Sequence, residues 1–170
     1  FIMYEFAPYG DFQELSAAYN FGMDEKLCRT YFRQLIEGLD YLHNEMMAHL
    51  DLKLENVVLG QDFKLKVIDF DLSANLTDEN VKSQGTPHYR PPEMLKGNTS
   101  YAEAADIYSA AVVLFTMIYG SLPFHETVDF DGEILVDVLD RNPDMFWNFH
   151  QKMREDEADY RQFSKDFKNL

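Results

Sequence analysis

Residues 49–56 read His-Leu-Asp-Leu-Lys-Leu-Glu-Asn, and this short segment carries the most chemical information in the chain. It places a carboxylate at Asp51, a cation at Lys53 and an amide at Asn56. Phosphoryl transfer needs an acceptor for a hydroxyl proton, a positive charge beside the moving group and an oxygen ligand for magnesium. The three side chains are therefore a candidate catalytic set, although an Asp-x-Lys triplet alone also occurs by chance.

A second carboxylate motif follows an apolar strand pattern, where the chain reads Asp69-Phe70-Asp71. A carboxylate at the C-terminal end of a strand is well placed to hold a metal ion that faces the loop. The tripeptide is weak by itself, because residues 129–131 repeat it. The second copy has no strand pattern before it, and we interpret it as surface sequence.

Two further segments complete the pattern. Residues 85–93 read Gly-Thr-Pro-His-Tyr-Arg-Pro-Pro-Glu and follow a polar stretch, while Asp106 enters an otherwise apolar helix. A buried carboxylate needs hydrogen-bond partners. We therefore predict that Asp106 is a structural clamp rather than a catalyst.

Hydrophobic spacing around these motifs predicts a mainly helical α+β domain with a small β-hairpin. The proline and glycine residues between positions 71 and 100 predict that this region is mostly loop. The other predicted elements are a buried strand at 1–6, a short helix capped by Asp11, a helix at 24–44, a hairpin of 57–59 with 64–70, a buried helix at 102–119, and helices at 132–139 and from 160.

The order and spacing of the four segments resemble the signature set of the eukaryotic protein kinases: a His-Arg-Asp loop, Asp-Phe-Gly, Ala-Pro-Glu and an aspartate in the central helix. A lysine at position 53 and a threonine at position 86 resemble the pattern of the serine/threonine branch. The sequences of residues 85–93 and 120–124 are similar to those of the calcium/calmodulin-dependent group. The resemblance implies a domain that transfers the γ-phosphoryl group of ATP to a serine or threonine hydroxyl of a protein, with ATP and Mg²⁺ as cofactors.

The same resemblance implies that residues 1–170 are a partial kinase domain, truncated at both ends. It would contain the hinge strand and the C-terminal lobe, with the small N-terminal lobe absent. No glycine-rich loop or lysine-bearing strand precedes Phe1. These parts normally cover and align the phosphates, so we expect the 170-residue chain by itself to be inactive.

The resemblance also implies a role for individual residues. Asp51 would be the catalytic base, Lys53 would contact the phosphoryl group, and Thr86 would bond to this pair. Asn56 and Asp69 would hold magnesium. The nucleotide site would comprise Tyr4 as gatekeeper, Glu5 and Ala7 beside the adenine, Asp11 at the ribose and Val58 beneath the adenine. A helix cap is the alternative reading of Asp11.

Several positions depart from the family pattern, and three of them bear on function. Leu50 stands where the family has an arginine that binds a phosphate on the activation segment, and Lys82 stands where it has the phosphorylated threonine. We therefore predict that this segment does not need phosphorylation to become ordered. Asp71 replaces a glycine, and it would be strained if the backbone there had a positive φ. Leu50, Asp71 and the missing small lobe keep open an alternative function, a pseudokinase that acts as a binding or scaffolding module.

The net charge indicates which classes of partner are disfavoured, and the cysteine content indicates the cellular location. The formal net charge of −15 disfavours nucleic acid and anionic membrane surfaces as main partners, because both would be repelled. Cys28 is the only cysteine, so an intrachain disulfide is impossible and an intracellular, cytoplasmic location is expected. The sequence makes no prediction of oligomeric state.

Overall fold

The computed structural model describes residues 3–19, 22–78, 84–95, 101–124, 141–152 and 163–168. The chain divides into two compact units, Phe1–His125 and Glu126–Leu170. The first unit contains α1 (Phe12–Ala17), α2 (Glu25–Asn44), β1 (Met47–Ala48), β2 (Val57–Leu59), β3 (Leu65–Val67), β4 (Ala74–Asn75), α3 (Pro92–Leu95) and α4 (Ala102–Tyr119), with 3-10 turns at Leu54–Asn56 and Pro87–Tyr89. The second contains α5 (Pro143–Lys152) and α6 (Lys165–Lys168).

Aspartates cap the first two helices, because a carboxylate can accept hydrogen bonds from the N–H groups that a helix start leaves unpaired. Asp11 accepts from Glu14 N at 2.8 Å, which confirms the predicted cap of α1. Asp24 accepts from Lys26 N at 3.0 Å at the start of α2. The α2 residue Leu35 is fully buried, as the apolar spacing of this helix predicts.

Helix α4 forms the centre of the first unit and packs against α2. By length and a hydropathy of 1.3 it could cross a membrane, but 67% of it is buried within the protein, as in a core helix. Cys28 of α2 is also fully buried, and this burial raises the pKa of its thiol to about 12, as for a small core residue.

The first unit contains two small antiparallel sheets. Strands β2 and β3 form the predicted hairpin, with Val57 opposite Val67 and Leu59 opposite Leu65. Strands β1 and β4 pair over two residues each. This second sheet lies partly in the region that we predicted as loop, which also contains α3 and a 3-10 turn.

The predicted buried strand at residues 1–6 is wrong for the residues that the structure describes. Met3, Tyr4 and Phe6 are exposed, and residues 3–6 pair with no described strand. Apolar composition predicted burial, but the described contact between this segment's backbone and the hairpin comes later, where the Leu59 N–H donates to Gly10 O at 3.0 Å.

The second unit contains an aromatic cluster. The Trp147 ring lies 5.6 Å from the ring of Phe163 and 5.4 Å from that of Phe167, measured between ring centroids. Helix α5 was not predicted. The predicted helix at 132–139 and the predicted start at residue 160 lie outside the described residues.

Candidate active site

Asp106 fixes the start of the candidate catalytic loop. Its side chain is fully buried in α4. One carboxylate oxygen accepts from Leu50 N at 2.8 Å, and the other accepts from His49 N at 2.8 Å and contacts His43 Nε2 at 2.9 Å. The prediction of Asp106 as a structural clamp is therefore confirmed.

His49 links this loop to the strand that ends at Asp69. Its Nδ1 accepts from Asp51 N at 3.3 Å, so the ring proton lies on Nε2 and is donated to Ile68 O at 2.9 Å. The ring also packs against Phe70, with centroids 5.0 Å apart. His49 therefore has a structural role, through two hydrogen bonds and one ring contact.

Asp51, Lys53 and Thr86 meet at one carboxylate, as predicted. Lys53 Nζ donates to Asp51 Oδ2 at 2.8 Å. Thr86 donates to Asp51 Oδ1 from both its backbone N–H and its hydroxyl, each at 2.8 Å. Lys53 Nζ also contacts Thr86 Oγ1 at 3.1 Å, which closes the triangle.

These contacts favour the charged forms of both ionisable groups. Burial by itself would raise the pKa of Asp51, but the hydrogen bonds from Lys53 and Thr86 outweigh it and hold the pKa below its ordinary value. The hydrogen bond to Asp51 raises the pKa of Lys53. The pair is therefore ionised at neutral pH.

Gly85 permits the approach of Thr86 to Asp51. Its φ is +93°, and an added Cβ would lie 2.3 Å from Leu50 O. Only glycine can adopt this conformation without a shift of one backbone against the other. The glycine in the Gly-Thr-Pro motif is thus explained by close packing.

Asn56 and Asp69 are brought together by Ile68. The Ile68 N–H donates to Asn56 O at 3.0 Å, and Asp69 follows with a backbone φ of +64°. The Asn56 amide donates to Asp51 O at 2.9 Å, so its side-chain oxygen stays available as a ligand. Asp69 is exposed and close enough to Lys53 to help raise its pKa.

The donor set fits Mg²⁺, which binds through one or two protein oxygens together with water and phosphate oxygens. Among the described residues, no group of three or more His, Cys, Asp or Glu side chains could hold a metal ion by itself. An Asn–Asp pair supplies two oxygens and leaves the remaining positions to a bound phosphate.

Asp71 does not adopt the backbone conformation that would strain it. The described residues other than glycine that have a positive φ are Met46, Leu50, Phe63 and Asp69. The left-handed turn therefore falls two residues earlier than the family glycine suggested. The strain considered for Asp71 is absent.

Leu50 is buried in an apolar cluster, in place of the charged pocket that an arginine would form. It is 6% exposed and packs in a cluster with Met94, Ala102, Ala105 and Ala48.

The proposed nucleotide residues lie along the segment before α1 and on β2. Tyr4 is 85% exposed, and Glu5 forms an ion pair with Lys66 at 3.1 Å. Asp11 pairs with Val58 through a backbone bridge, while its carboxylate caps α1. Ala7 is partly buried.

Sequence reasoning missed two side chains beside the site. His43 contacts Asp106, and Gln84 donates from Nε2 to Leu72 O at 2.9 Å. His43 stands in the last turn of α2, where an apolar face predicted only packing. Gln84 directly precedes the Gly-Thr-Pro motif, and its residue type carries no signal of a partner 12 positions away.

Comparison with known proteins identifies a family. The model of the protein kinase domain matches residues 1–170. CBL-interacting protein kinase 31 of rice (Oryza sativa subsp. japonica) is 41% identical over 133 residues, which are 74% of this chain and 29% of that protein. CBL-interacting protein kinase 26 of rice is 43% identical over 110 residues, which are 61% of this chain and 22% of that protein.

A fission yeast relative agrees. The protein kinase domain-containing protein ppk9 of Schizosaccharomyces pombe is 38% identical over 106 residues, which are 61% of this chain and 20% of that protein. The chain thus spans less than a third of the length of these relatives. The resemblance to eukaryotic protein kinases of the serine/threonine type is confirmed, and the calcium/calmodulin-dependent group stays a prediction. The chain belongs to the protein kinase domain family.

Proposed function

We propose that this chain forms the phosphoryl-transfer centre of a serine/threonine protein kinase, which moves the γ-phosphoryl group of ATP to a serine or threonine hydroxyl of a protein. One observation carries the proposal: Lys53 and Thr86 both donate to the Asp51 carboxylate at 2.8 Å. We place the activity in the cytoplasm, in a domain of which residues 1–170 are a part.

Asp51 is suited to orient a substrate hydroxyl and to accept its proton. A carboxylate offers about four lone-pair positions. Lys53 and Thr86 donate three bonds to Asp51, and the Asn56 amide donates a fourth, longer one at 3.4 Å, which a substrate hydroxyl would displace. The lowered pKa of Asp51 keeps this acceptor ionised at neutral pH. Lys53 places a positive charge beside it, where charge would develop on the transferred group.

The remaining residues would hold ATP and magnesium. Asn56 and Asp69 would supply oxygen ligands to Mg²⁺, which when bound neutralises phosphate charge. The adenosine would lie against residues of the hinge segment and β2, namely Tyr4, Glu5, Ala7, Asp11 and Val58. The buried Val58 supports this placement, because it offers an apolar surface to a flat ring.

The test uses the full-length protein with Mg-ATP and peptides that differ only in one acceptor residue, serine, threonine or tyrosine. Phosphate incorporation should occur on serine and threonine peptides. Asp51→Asn should lower kcat by about 10²–10⁴-fold, the usual contribution of a general base. The matched control is Asp62→Asn, which changes an exposed carboxylate in the hairpin turn.

Nucleotide binding gives a second readout. Asp69→Asn should weaken magnesium-dependent binding of a non-hydrolysable ATP analogue in calorimetry, whereas Asp62→Asn should leave it unchanged. Transfer that survives Asp51→Asn at full rate would contradict the assignment of the base.

A pseudokinase is the second candidate, and two observations favour it. Leu50 is buried among apolar side chains, and Asp71 stands in place of a glycine. The pseudokinase predicts no phosphate transfer to any of the three peptides. It also predicts partner binding that is indifferent to Asp51→Ala and Asp69→Asn.

A further inference from the structure

Three consecutive residues, 84–86, each contact a different part of the candidate site. Thr86 donates to the Asp51 carboxylate at 2.8 Å. Gly85 packs so closely against the backbone of Leu50 that a Cβ added to Gly85 would lie 2.3 Å from Leu50 O. Gln84 donates from its side-chain amide to Leu72 O at 2.9 Å.

The Gln84 bond is the contact that reaches the other side of the site. Leu72 lies three residues after Asp69, within the turn in which Ser73 N donates to Phe70 O at 3.0 Å. Gln84 and Leu72 are both partly buried, which shields their bond from water. A neutral bond of this kind is modest in energy but directional.

We infer that Gln84 is a positioning residue, whose amide holds the loop after Asp69 in register with the Thr86–Asp51 contact. This inference rests on the proposed function, because the register matters only if Asp51 and Asp69 act on one bound nucleotide. Gln84 itself contacts neither carboxylate in the described structure. It acts through the two backbone segments that it joins.

Three variants of the full-length protein separate a hydrogen bond from a charge effect. Gln84→Leu removes the donor without adding charge. Gln84→Glu removes the donor only while the new carboxyl is ionised, because a protonated carboxyl can donate to Leu72 O. Gln61→Glu makes the same chemical change at an exposed position in the hairpin turn and is the control.

The measurement is kcat for peptide phosphorylation relative to wild type, from pH 8 down to about pH 5, which approaches the ordinary glutamate pKa. Gln84→Leu should be slower than wild type by about three- to tenfold at every pH. Gln84→Glu should be equally slow at pH 8 and should recover toward the wild-type rate as the pH falls. Gln61→Glu should stay near the wild-type rate throughout.

Two results would overturn the role of Gln84. One is a Gln84→Leu variant that is as fast as wild type, because any slowing of Gln84→Glu would then come from the added negative charge and not from the lost hydrogen bond. The other is a Gln84→Glu rate that, relative to wild type, does not change with pH.

Amide hydrogen exchange tests the positioning role of Gln84 independently of the proposed kinase function. The Thr86 amide is bonded to Asp51 at 2.8 Å, and Gln84→Leu should speed its exchange by about three- to tenfold, while the Leu59 amide stays unchanged. A wild-type protein without transfer activity would refute the proposed function alone. If the exchange rate of the Thr86 amide did not change in Gln84→Leu, the positioning role of Gln84 would be refuted, whether or not the protein transfers phosphate.

Discussion

Asp51 and Asp69 carry the two carboxylates of the site, but the protein surrounds them differently. Asp51 is 9% exposed and accepts bonds from Lys53 and Thr86. Asp69 is exposed, and among the described residues none donates a hydrogen bond to its carboxylate. The fold therefore orients the carboxylate of the proposed base, Asp51, before any substrate binds. It leaves the carboxylate of Asp69 accessible to a metal ion. The contrast can be tested from both sides.

Removal of the support beneath Asp51 should have the largest effect on stability. Asp106→Ala leaves the buried N–H groups of His49 and Leu50 without their acceptor, and should lower the free energy of unfolding by about 3–5 kcal/mol. Urea denaturation measures this loss. Glu103→Ala, at an exposed position of the same helix, is the control, and a loss below about 1 kcal/mol for Asp106→Ala would refute the clamp.

Replacement of the glycine beside Asp51 should have the next largest effect. Gly85→Ala should cost on the order of 1–3 kcal/mol, because φ is +93° and the new Cβ would meet Leu50 O. Gly38→Ala makes the same change inside α2, where nothing lies within 4 Å of the new Cβ, and should stabilise by about 0.5–1 kcal/mol. Equal effects in urea denaturation would mean that Gly85 is not held by close packing.

The acid dependence of stability should change when Asp51 loses its cation. The pKa of Asp51 is lowered in the folded protein, so its contribution is present above the ordinary aspartate pKa of about 3.9 and is lost as the pH falls below it. In Lys53→Met the pKa of Asp51 should rise, and stability should fall less steeply between pH 5 and pH 2. Thermal unfolding across this range measures the slope. Lys26→Met, at an exposed position of α2 where the lysine forms no described ion pair, should keep the wild-type slope.

Neutralisation of Asp69 should have the smallest effect on stability. Asp69→Asn removes a charge that forms no described hydrogen bond, so the free energy of unfolding should change by no more than about 0.5 kcal/mol. Asp51→Asn should cost more, because it disrupts the contacts of Lys53 and Thr86. A larger loss for Asp69→Asn than for Asp51→Asn in urea denaturation would reverse the comparison.

Helices α1, α2 and α4 and the hairpin were predictable from the sequence because each has a strong local signal. Leu35 and Leu39 recur on one face of α2, and α4 is apolar on nearly all sides. The motifs also predicted that Asp51, Lys53 and Thr86 would meet, since their order and spacing resemble those of a known family. Local pattern and family resemblance therefore gave the same site.

The remaining features depend on contacts that local sequence does not encode. Strands β1 and β4 have two residues each, too few to show alternation. The positive φ falls at Asp69 rather than at Asp71, directly after Ile68, whose N–H and C=O are both bonded to residues distant in sequence. Met3, Tyr4 and Phe6 are hydrophobic yet exposed, because composition records hydrophobicity but not which neighbour is present.

The burial of Leu50 has an evolutionary consequence. An arginine at this position would place its side chain among the apolar side chains of Met94, Ala102 and Ala105. A single codon change to the arginine of the family would therefore destabilise the fold before it could bind a phosphate. The chain could acquire phosphate control only through several coordinated substitutions, and this barrier should preserve the apolar cluster through neutral drift.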